Sequence, residues 1–303
     1  MINQDWQRRV SKWREAMPRL FYRELGSFEM QGFCTMEQLT PEQAAKQKFG
    51  PMPAGTEWGA KWEYAWFRGE VVVPKSAKGE RIALRIDTGG ESAIFVNGVA
   101  TGAKGWSDRE ITLTRHAKGG EKFHILVESY GGHGPMECGG GPIEHGRETV
   151  PEPAPKQTKV GVTTFGIWEE ELFQLRMDTE TLAQFVEHTQ EKESLRVAEV
   201  TEALNAMTLV VDLELPRAEM MKTVRAGRKI LQPLLAARNG TSAAVLHTFG
   251  HSHIDVAWLW PLQETERKCC RTFASQLALM AEYPEYRFLQ SQTHLYQMAK
   301  DHY

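Results

Sequence analysis

Hydrophobic and polar residues alternate with a period of two over residues 62–130. Successive side chains of a β-strand point to opposite faces, so this alternation is typical of strands with one buried face. Turn residues separate the strand-like runs, among them the pair Asn97 and Gly98. The runs lie at residues 64–73, 81–87, 92–97, 109–114 and 122–130. They predict an antiparallel β-sandwich of the jelly-roll kind.

Two other regions repeat their hydrophobic residues at steps of three and four, which is typical of amphipathic helices. The first is residues 4–15, where Trp6, Val10 and Trp13 form an aromatic stripe. We interpret this stripe as a core contact. The second is residues 178–238, which we predict to be a set of helices.

The pattern changes again near the end of the chain. An apolar run at residues 243–249 predicts a buried strand, Pro261 begins a helix, and residues 287–291 predict a second strand followed by another helix. A strand, a crossover helix and a second strand form a parallel βαβ unit. The helix is predicted to bury one apolar face, made of Leu262, Cys269, Phe273, Leu277 and Met280.

These patterns divide the 303-residue chain into four parts. Residues 1–56 are an N-terminal helical and extended segment, and residues 57–177 are the β-sandwich, closed by a strand-like run at 160–177. Residues 178–240 are a helical linker. Residues 241–303 are the first βαβ unit of a parallel, barrel-like α/β domain, which we expect to be truncated because one unit cannot cover its own sheet. The predicted fold class is a multidomain protein with α and β parts.

Composition restricts the partners. The chain has 36 basic and 39 acidic residues, a net charge of -3, and the two signs are interspersed, which argues against a nucleic-acid partner. The four cysteines, Cys34, Cys138, Cys269 and Cys270, form no disulfide framework or zinc spacing and suit a reducing cytoplasm. No signal peptide or membrane span is recognisable, so we expect a soluble, cytoplasmic protein without a membrane partner. Assembly into a homo-oligomer is left open.

The segment at residues 250–260, GHSHIDVAWLW, concentrates the chemistry. His253 and Asp255 are two residues apart, so on an extended backbone both side chains point the same way. An imidazole and a carboxylate that converge suit a divalent ion such as zinc, and two protein ligands leave room for substrate. The alternative is a histidine and a carboxylate that only hydrogen-bond each other at a strand end.

A resemblance to a known family lies in residues 250–292, which read GHSHIDVAWLWPLQETERKCCRTFASQLALMAEYPEYRFLQSQ. This run resembles the opening of the catalytic domain of glycoside hydrolase family 38, the alpha-mannosidases, and is most similar to their cytosolic and bacterial branch. Upstream, YAWFRG at residues 64–69 and DTGGESAIFVNG at residues 87–98 resemble the N-terminal β-sandwich of that branch. The resemblance covers nearly the whole chain.

The resemblance implies roles for three residues. The metal ligands of the family fall on His253 and Asp255, and its aromatic platform for the mannose ring falls on Trp258, which could otherwise be a core aromatic. The implied cofactor is a divalent metal, zinc in most members and cobalt or another ion in some. The implied substrate is a mannose-containing oligosaccharide. The position of His251 is not a direct ligand in the family.

The family hydrolyses with retention, which requires a nucleophilic carboxylate and a second carboxylate as general acid and base. The resemblance implies that both, and a remaining histidine ligand, lie downstream of Tyr303. We therefore expect an N-terminal fragment of an alpha-mannosidase that holds zinc weakly and does not turn over.

Two other functions remain open. In a metal-dependent amidohydrolase, His251 and His253 would bind zinc as a His-x-His pair and activate water. In a non-catalytic carbohydrate-binding module the sandwich would hold the sugar, with stacking platforms drawn from Trp58, Trp62, Trp66 and Trp106, although most of these are expected to fill the core. A metal site at His133, Cys138 and His145 is disfavoured because their spacing matches no standard zinc pattern.

Overall fold

A computed structural model describes residues 5–105, 110–133, 154–240 and 242–303. The chain forms two compact units, one of Met1–Arg23 with Ile167–Leu246 and one of Glu24–Gly166 with His247–Tyr303. The helices are α1 (Asp5–Ala16), α2 (Pro41–Ala45), α3 (Glu170–His188), α4 (Leu195–Val210), α5 (Arg217–Leu235), α6 (Leu262–Glu282) and α7 (Thr293–His302). The strands are β1 (Tyr22–Ser27), β2 (Gln31–Thr35), β3 (Gly50–Pro51), β4 (Glu57–Trp58), β5 (Tyr64–Val72), β6 (Ile82–Arg85), β7 (Glu91–Val96), β8 (Val99–Lys104), β9 (Ile111–Thr114), β10 (Lys122–Tyr130), β11 (Thr158–Lys159), β12 (Thr164–Trp168), β13 (Gly250–His251) and β14 (Phe288–Leu289).

The first unit is a helical bundle of α1, α3, α4 and α5 around one apolar core. Trp6 and Val10 of α1 are buried in it, which confirms the interpretation of the aromatic stripe as a core contact. Among the described residues, none of the helices has the length and apolar character needed to cross a bilayer.

The predicted strand at residues 160–177 is wrong in its second half, because α3 begins at Glu170. Leu172, Leu175 and Leu182 recur at helical spacing and are buried in the core of the bundle. Residues 170–177 therefore belong to the helical part of the chain, and only β11 and β12 continue the sandwich.

The second unit contains the predicted antiparallel sandwich. Its larger sheet has the strand order β3-β2-β5-β10-β7-β8 and its smaller sheet β1-β12-β6-β9. The central strand β10 pairs antiparallel with β5 over its whole length, from Lys122 opposite Val72 to Tyr130 opposite Tyr64. All five predicted runs form strands, with β9 described from Ile111 onward.

The strand β8 was not predicted. It reads VATGAK, and its small side chains give no hydrophobic alternation. The turn before it was recognisable, because Asn97 and Gly98 have φ values of 52° and 83°, as a two-residue hairpin turn requires. The turn residues therefore indicate a hairpin, whereas β8 is a strand because it pairs with β7.

Helix α6 covers one half of the outer face of the larger sheet. Tyr64 and Trp66, which alternate on that face of β5, are fully buried, whereas Arg68 and Glu70 farther along are exposed. Cys270 of α6 packs in one cluster with Trp66 and residues of the neighbouring strands. Because the other face of β5 lies inside the sandwich, the strand begins with an unbroken buried run rather than an alternation.

The predicted parallel βαβ unit is present but short. Strands β13 and β14 pair in parallel, with Gly250 opposite Phe288, and α6 connects them. Residues 243–249 do not form the predicted strand: Val245 and Leu246 are 77% and 86% exposed, and within the described part of the chain no neighbouring strand pairs with them. The barrel-like domain stays a prediction.

Candidate functional site

The candidate site begins where the backbone of Gly250 approaches Tyr286. A Cβ atom at Gly250 would lie 2.0 Å from the Tyr286 hydroxyl, so any other residue would have to displace the Tyr286 side chain. That hydroxyl donates a hydrogen bond to Gln276 of α6 at 2.6 Å, and the Gly250 amide donates to the Arg287 carbonyl at 2.7 Å. These contacts fix the point at which the chain leaves β13.

The His253 and Asp255 side chains converge as the two-residue spacing predicts. His253 Nε2 lies 3.1 Å from Asp255 Oδ1, and the two side chains are 80% and 41% exposed. Between them Ile254 points the other way and is buried with Cys269 and Leu295. Residues 252–255 belong to no regular strand or helix.

The donor atoms of this pair fit a zinc ion in type and in spacing. Ligand bonds of roughly 2.0–2.2 Å at angles between octahedral and tetrahedral place two donor atoms roughly 2.8–3.5 Å apart. The observed 3.1 Å lies within this range and equally suits a direct hydrogen bond. No group of three or more His, Cys, Asp or Glu side chains that could hold a metal occurs among the described residues, so the pair supplies two ligands.

The neighbouring His251 does not join this pair. Its Nε2 lies 3.2 Å from the hydroxyl oxygen of Ser291, which follows β14. The hydrogen-bond partner seen for His251 among the described residues therefore lies after the adjacent strand and not in the pair.

Trp258 is a surface aromatic rather than a core residue, since 64% of it is exposed. Its ring stands edge-on to Trp260, with centroids 5.8 Å apart and an interplanar angle of 83°. Trp260 is half-buried, and the Lys268 ammonium lies 4.6 Å from its ring centroid. Trp260 therefore packs against Trp258, and most of the Trp258 side chain remains accessible to a ligand.

A pocket of about 380 Å³ opens beside the pair. One wall consists of His253, Asp255 and Trp260, and α6 supplies a second. The jelly roll supplies a third through Glu91 and Lys104. Sugar-sized ligands bind in concave sites of this scale, lined by a few convergent polar groups.

The Thr265 hydroxyl is a feature that sequence analysis missed. This side chain, fully buried in the first turn of α6, accepts hydrogen bonds from the Ala257 amide at 2.9 Å and from Trp260 Nε1 at 3.1 Å. It also donates to the Asp255 carbonyl at 3.2 Å. A threonine inside a helix carries no sequence signal for such a role.

The predicted buried face of α6 is confirmed at Cys269, which is fully buried, and at Phe273, which packs against its cluster, but is wrong at the other three positions. Leu262 and Leu277 are 49% and 64% exposed, and Met280 is also exposed. The helix instead buries the face formed by Glu264, Thr265, Arg267, Cys269, Cys270, Arg271 and Ala274.

Buried ion pairs explain this reversal. Arg267 Nε donates to Glu128 of β10 at 2.7 Å, and both side chains are at most 1% exposed. The Arg267 guanidinium also lies over the Tyr64 ring at 3.9 Å, and the Tyr303 hydroxyl donates to the second Glu128 oxygen at 3.0 Å. Charged residues pack inward here because their partners are buried in the sheet.

A second group of charges extends the network toward the pocket. Glu264 accepts hydrogen bonds from the Tyr64 hydroxyl at 3.1 Å and from Arg271. Glu91 of β7 accepts from Arg271 at 3.2 Å and from Lys268 at 3.0 Å. The first turns of α6, which carry Thr265, are therefore fixed to the jelly roll.

The aromatic residues considered as sugar platforms in the sandwich are mostly core. Trp58 and Trp66 are 3% and 0% exposed. Trp62 is half-buried with its ring edge toward His133, at a centroid distance of 6.4 Å. Trp106 lies outside the described residues.

The disfavoured metal site is described only at His133, since Cys138 and His145 lie outside the described residues.

Comparisons with known proteins agree with this architecture. The family model "Alpha-mannosidase, jelly roll domain" matches residues 27–145, and the model "Glycosyl hydrolases family 38 N-terminal domain" matches residues 243–303. The second match contains the pair, Trp258 and all of α6.

The curated relatives are also alpha-mannosidases. Alpha-mannosidase 2C1 of Mus musculus is 26% identical over 287 residues, 91% of this chain and 26% of the relative. Alpha-mannosidase 2C1 of Homo sapiens is 26% identical over 295 residues, 94% of this chain and 27% of the relative. An alpha-mannosidase of Saccharomyces cerevisiae is 45% identical over 58 residues, 19% of this chain and 5% of the relative.

The chain thus spans about a quarter of the length of the first two relatives. Its similarity to them extends across both compact units, and the two family models match a jelly roll and a family 38 N-terminal domain in succession. The chain is therefore similar to the alpha-mannosidases of glycoside hydrolase family 38 over both matched domains.

Proposed function

We propose that this chain supplies the metal-holding part of a retaining alpha-mannosidase that acts on terminal alpha-mannosides of oligosaccharides. The observation that carries the proposal is the convergence of His253 Nε2 and Asp255 Oδ1 at 3.1 Å in the wall of a pocket. The names of the relatives support mannose as the sugar.

His253 and Asp255 would hold a divalent ion, zinc in the first place and cobalt as the alternative. When bound, such an ion supplies Lewis-acid contacts to vicinal sugar hydroxyls and so favours distortion of the ring. Trp258 offers its free face to the apolar side of the sugar ring. Ile254, between the two in sequence, is buried with Cys269 and Leu295 and anchors this part of the chain.

Retaining hydrolysis needs two carboxylates about 5–5.5 Å apart. Besides Asp255, the pocket contains Glu91, which is bound to Lys268 at 3.0 Å and Arg271 at 3.2 Å. Both contacts are ion pairs to α6, so this carboxylate is already engaged and is not free to act as a general acid. We therefore extend the proposal: the 303-residue chain holds a metal weakly through two ligands and has no turnover of its own.

The test is the hydrolysis of p-nitrophenyl alpha-mannoside by the 303-residue chain and by any longer form of the protein that spans the length of the relatives. We expect turnover only in the longer form. Removal of metal by a chelator should reduce it by at least about 100-fold, and zinc or cobalt should restore it. Turnover by the 303-residue chain would refute its inactivity, and turnover that survives chelation would refute the metal's role.

The amidohydrolase alternative predicts a different effect of His251→Ala. In an amidohydrolase this change removes a metal ligand and weakens binding strongly. In the mannosidase, His251 contacts Ser291 instead of the pair, so cobalt affinity should change by less than about threefold. A cobalt titration followed by visible absorption measures this affinity. Loss of the cobalt spectrum in His251→Ala would favour the amidohydrolase.

A further inference from the structure

The loop that carries the site is closed by a single buried hydroxyl. Thr265 Oγ1 binds the Ala257 amide, the Trp260 indole nitrogen and the Asp255 carbonyl at 2.9, 3.1 and 3.2 Å. These three groups span the loop from the acidic residue of the pair to the aromatic residue that supports Trp258. One oxygen atom thus contacts both halves of the site.

The loop does not have a conformation that its residues favour by themselves. Ala257 has a φ of 59°, in the left-handed region that residues with a Cβ rarely adopt. Such a conformation persists only where surrounding contacts impose it. The hydrogen bond from the Ala257 amide to Thr265 is one such contact, and it lies between Asp255 and Trp258.

Thr265 itself is held rigidly. Its sequence neighbour Glu264 is bound to Tyr64 at 3.1 Å, and Arg267 in the next half-turn is bound to Glu128 at 2.7 Å. Both partners belong to the central strands of the jelly-roll sheet. The sheet thus holds this part of α6 in place, and α6 in turn places the Thr265 hydroxyl against the loop.

We infer that Thr265 is a positioning residue for the metal pair and the sugar platform, through which the jelly roll orients the site. The inference rests on the proposed function, because it assigns Thr265 a role in orienting Asp255 as a ligand and Trp258 as a platform. Thr265 touches neither metal nor sugar. It acts through the Asp255 carbonyl and the Trp260 indole.

The test compares Thr265→Val, which keeps the shape but lacks the hydroxyl, with Thr265→Ser, which keeps the hydroxyl. A matched control is Thr208→Val in the helical bundle, where a buried threonine hydroxyl accepts one hydrogen bond rather than two, from Arg9, and also donates one, to the Asn205 carbonyl. Cobalt affinity is read by absorption and thermal stability by circular dichroism.

We expect Thr265→Val to weaken cobalt binding about 10- to 100-fold, the range typical of groups that orient metal ligands. Thr265→Ser should bind like wild type. Thr208→Val should lower the melting temperature and leave cobalt affinity unchanged. Equal cobalt affinity in Thr265→Val and wild type would overturn the inference. Absence of cobalt binding in the wild-type protein would instead overturn the proposed function.

A measurement on the wild-type protein applies even if Thr265→Val does not fold. Coupling between sites is reciprocal, so if Thr265 orients the pair, metal binding must in turn stabilise the bonds to Thr265. Hydrogen exchange of the Ala257 amide and the Trp260 indole should slow at least about threefold when cobalt is added. Unchanged exchange at both groups, with cobalt bound, would overturn the inference.

Discussion

Arg267→Ala should lower the free energy of unfolding by about 3–5 kcal/mol, because it leaves the Glu128 carboxylate buried without its ionic partner. Both side chains are at most 1% exposed and are joined by a 2.7 Å hydrogen bond. Urea unfolding, followed by tryptophan fluorescence, measures the change. A matched surface pair is Lys122 with Glu70, 61% and 38% exposed, where Lys122→Ala should change stability by less than about 1 kcal/mol.

A double variant separates the buried charge from the lost packing. Arg267 Nη1 and Nη2 have no hydrogen-bond partner within the described residues, so the native pair is incompletely satisfied. Arg267→Met combined with Glu128→Gln removes both charges and keeps an acceptor for the Tyr303 hydroxyl. We expect this variant to regain stability to within about 2 kcal/mol of wild type. Equal losses in the single and double variants would show that charge is not the cause.

The loss in Arg267→Ala should depend on pH. Burial raises the pKa of the Glu128 carboxyl above 4.5, and Arg267 opposes this shift only in part. A raised carboxyl pKa contributes stability that is complete below pH 4.5 and is lost as the pH rises through the folded-state pKa. Removing Arg267 raises this pKa further, so the destabilisation should be smaller at acidic than at neutral pH. A loss that grows on acidification would contradict this account.

Asp255→Ala should weaken cobalt binding by at least about 100-fold. Loss of a group that only orients a ligand typically weakens binding by about 10- to 100-fold, and loss of the ligand itself should weaken it more. Turnover of p-nitrophenyl alpha-mannoside by a catalytically active longer form should fall by a similar factor. The free energy of unfolding should change by less than about 0.5 kcal/mol, because the Asp255 side chain is 41% exposed. Cobalt titration and urea unfolding of the same variant separate the two effects.

The control for Asp255→Ala is His247→Ala, which changes an exposed histidine on the preceding segment. It should leave metal affinity and turnover unchanged. If Asp255→Ala bound cobalt as tightly as wild type, Asp255 would not be a ligand. The 3.1 Å contact with His253 would then be a hydrogen bond alone.

The strands and the convergence of the pair were predictable because each depends on local pattern. Alternation over residues 64–73 and 122–130 identifies β5 and β10, and the spacing of His253 and Asp255 places both side chains on one side. The predicted strand at residues 243–249 was wrong for a physical reason. Their composition is that of a buried strand, but burial requires a neighbouring strand, which the sequence of the segment does not specify.

The buried face of α6 was not predictable from periodicity. Charged residues such as Arg267 and Arg271 ordinarily face solvent, and Leu277 ordinarily faces the core. In α6 the two arginines face inward because they pair with Glu128 and Glu91. These partners lie on strands far away in the sequence and come next to α6 only when the sheet has formed. Thr265 was missed for the same reason: its three partners come together only through the loop's fold.

The inward-facing charges of α6 also determine where this protein can be divided. Sequence patterns place a domain boundary between the sandwich and the βαβ unit, but excising either part would bring Glu128 or Arg267 into water without its counter-ion. In the excised βαβ unit, the face of α6 that packs on the sheet would expose charged side chains, and its leucines already lie on the exposed side. Protein engineers who wish to transplant the segment that carries His253 and Asp255 would therefore need to transplant the jelly roll with it.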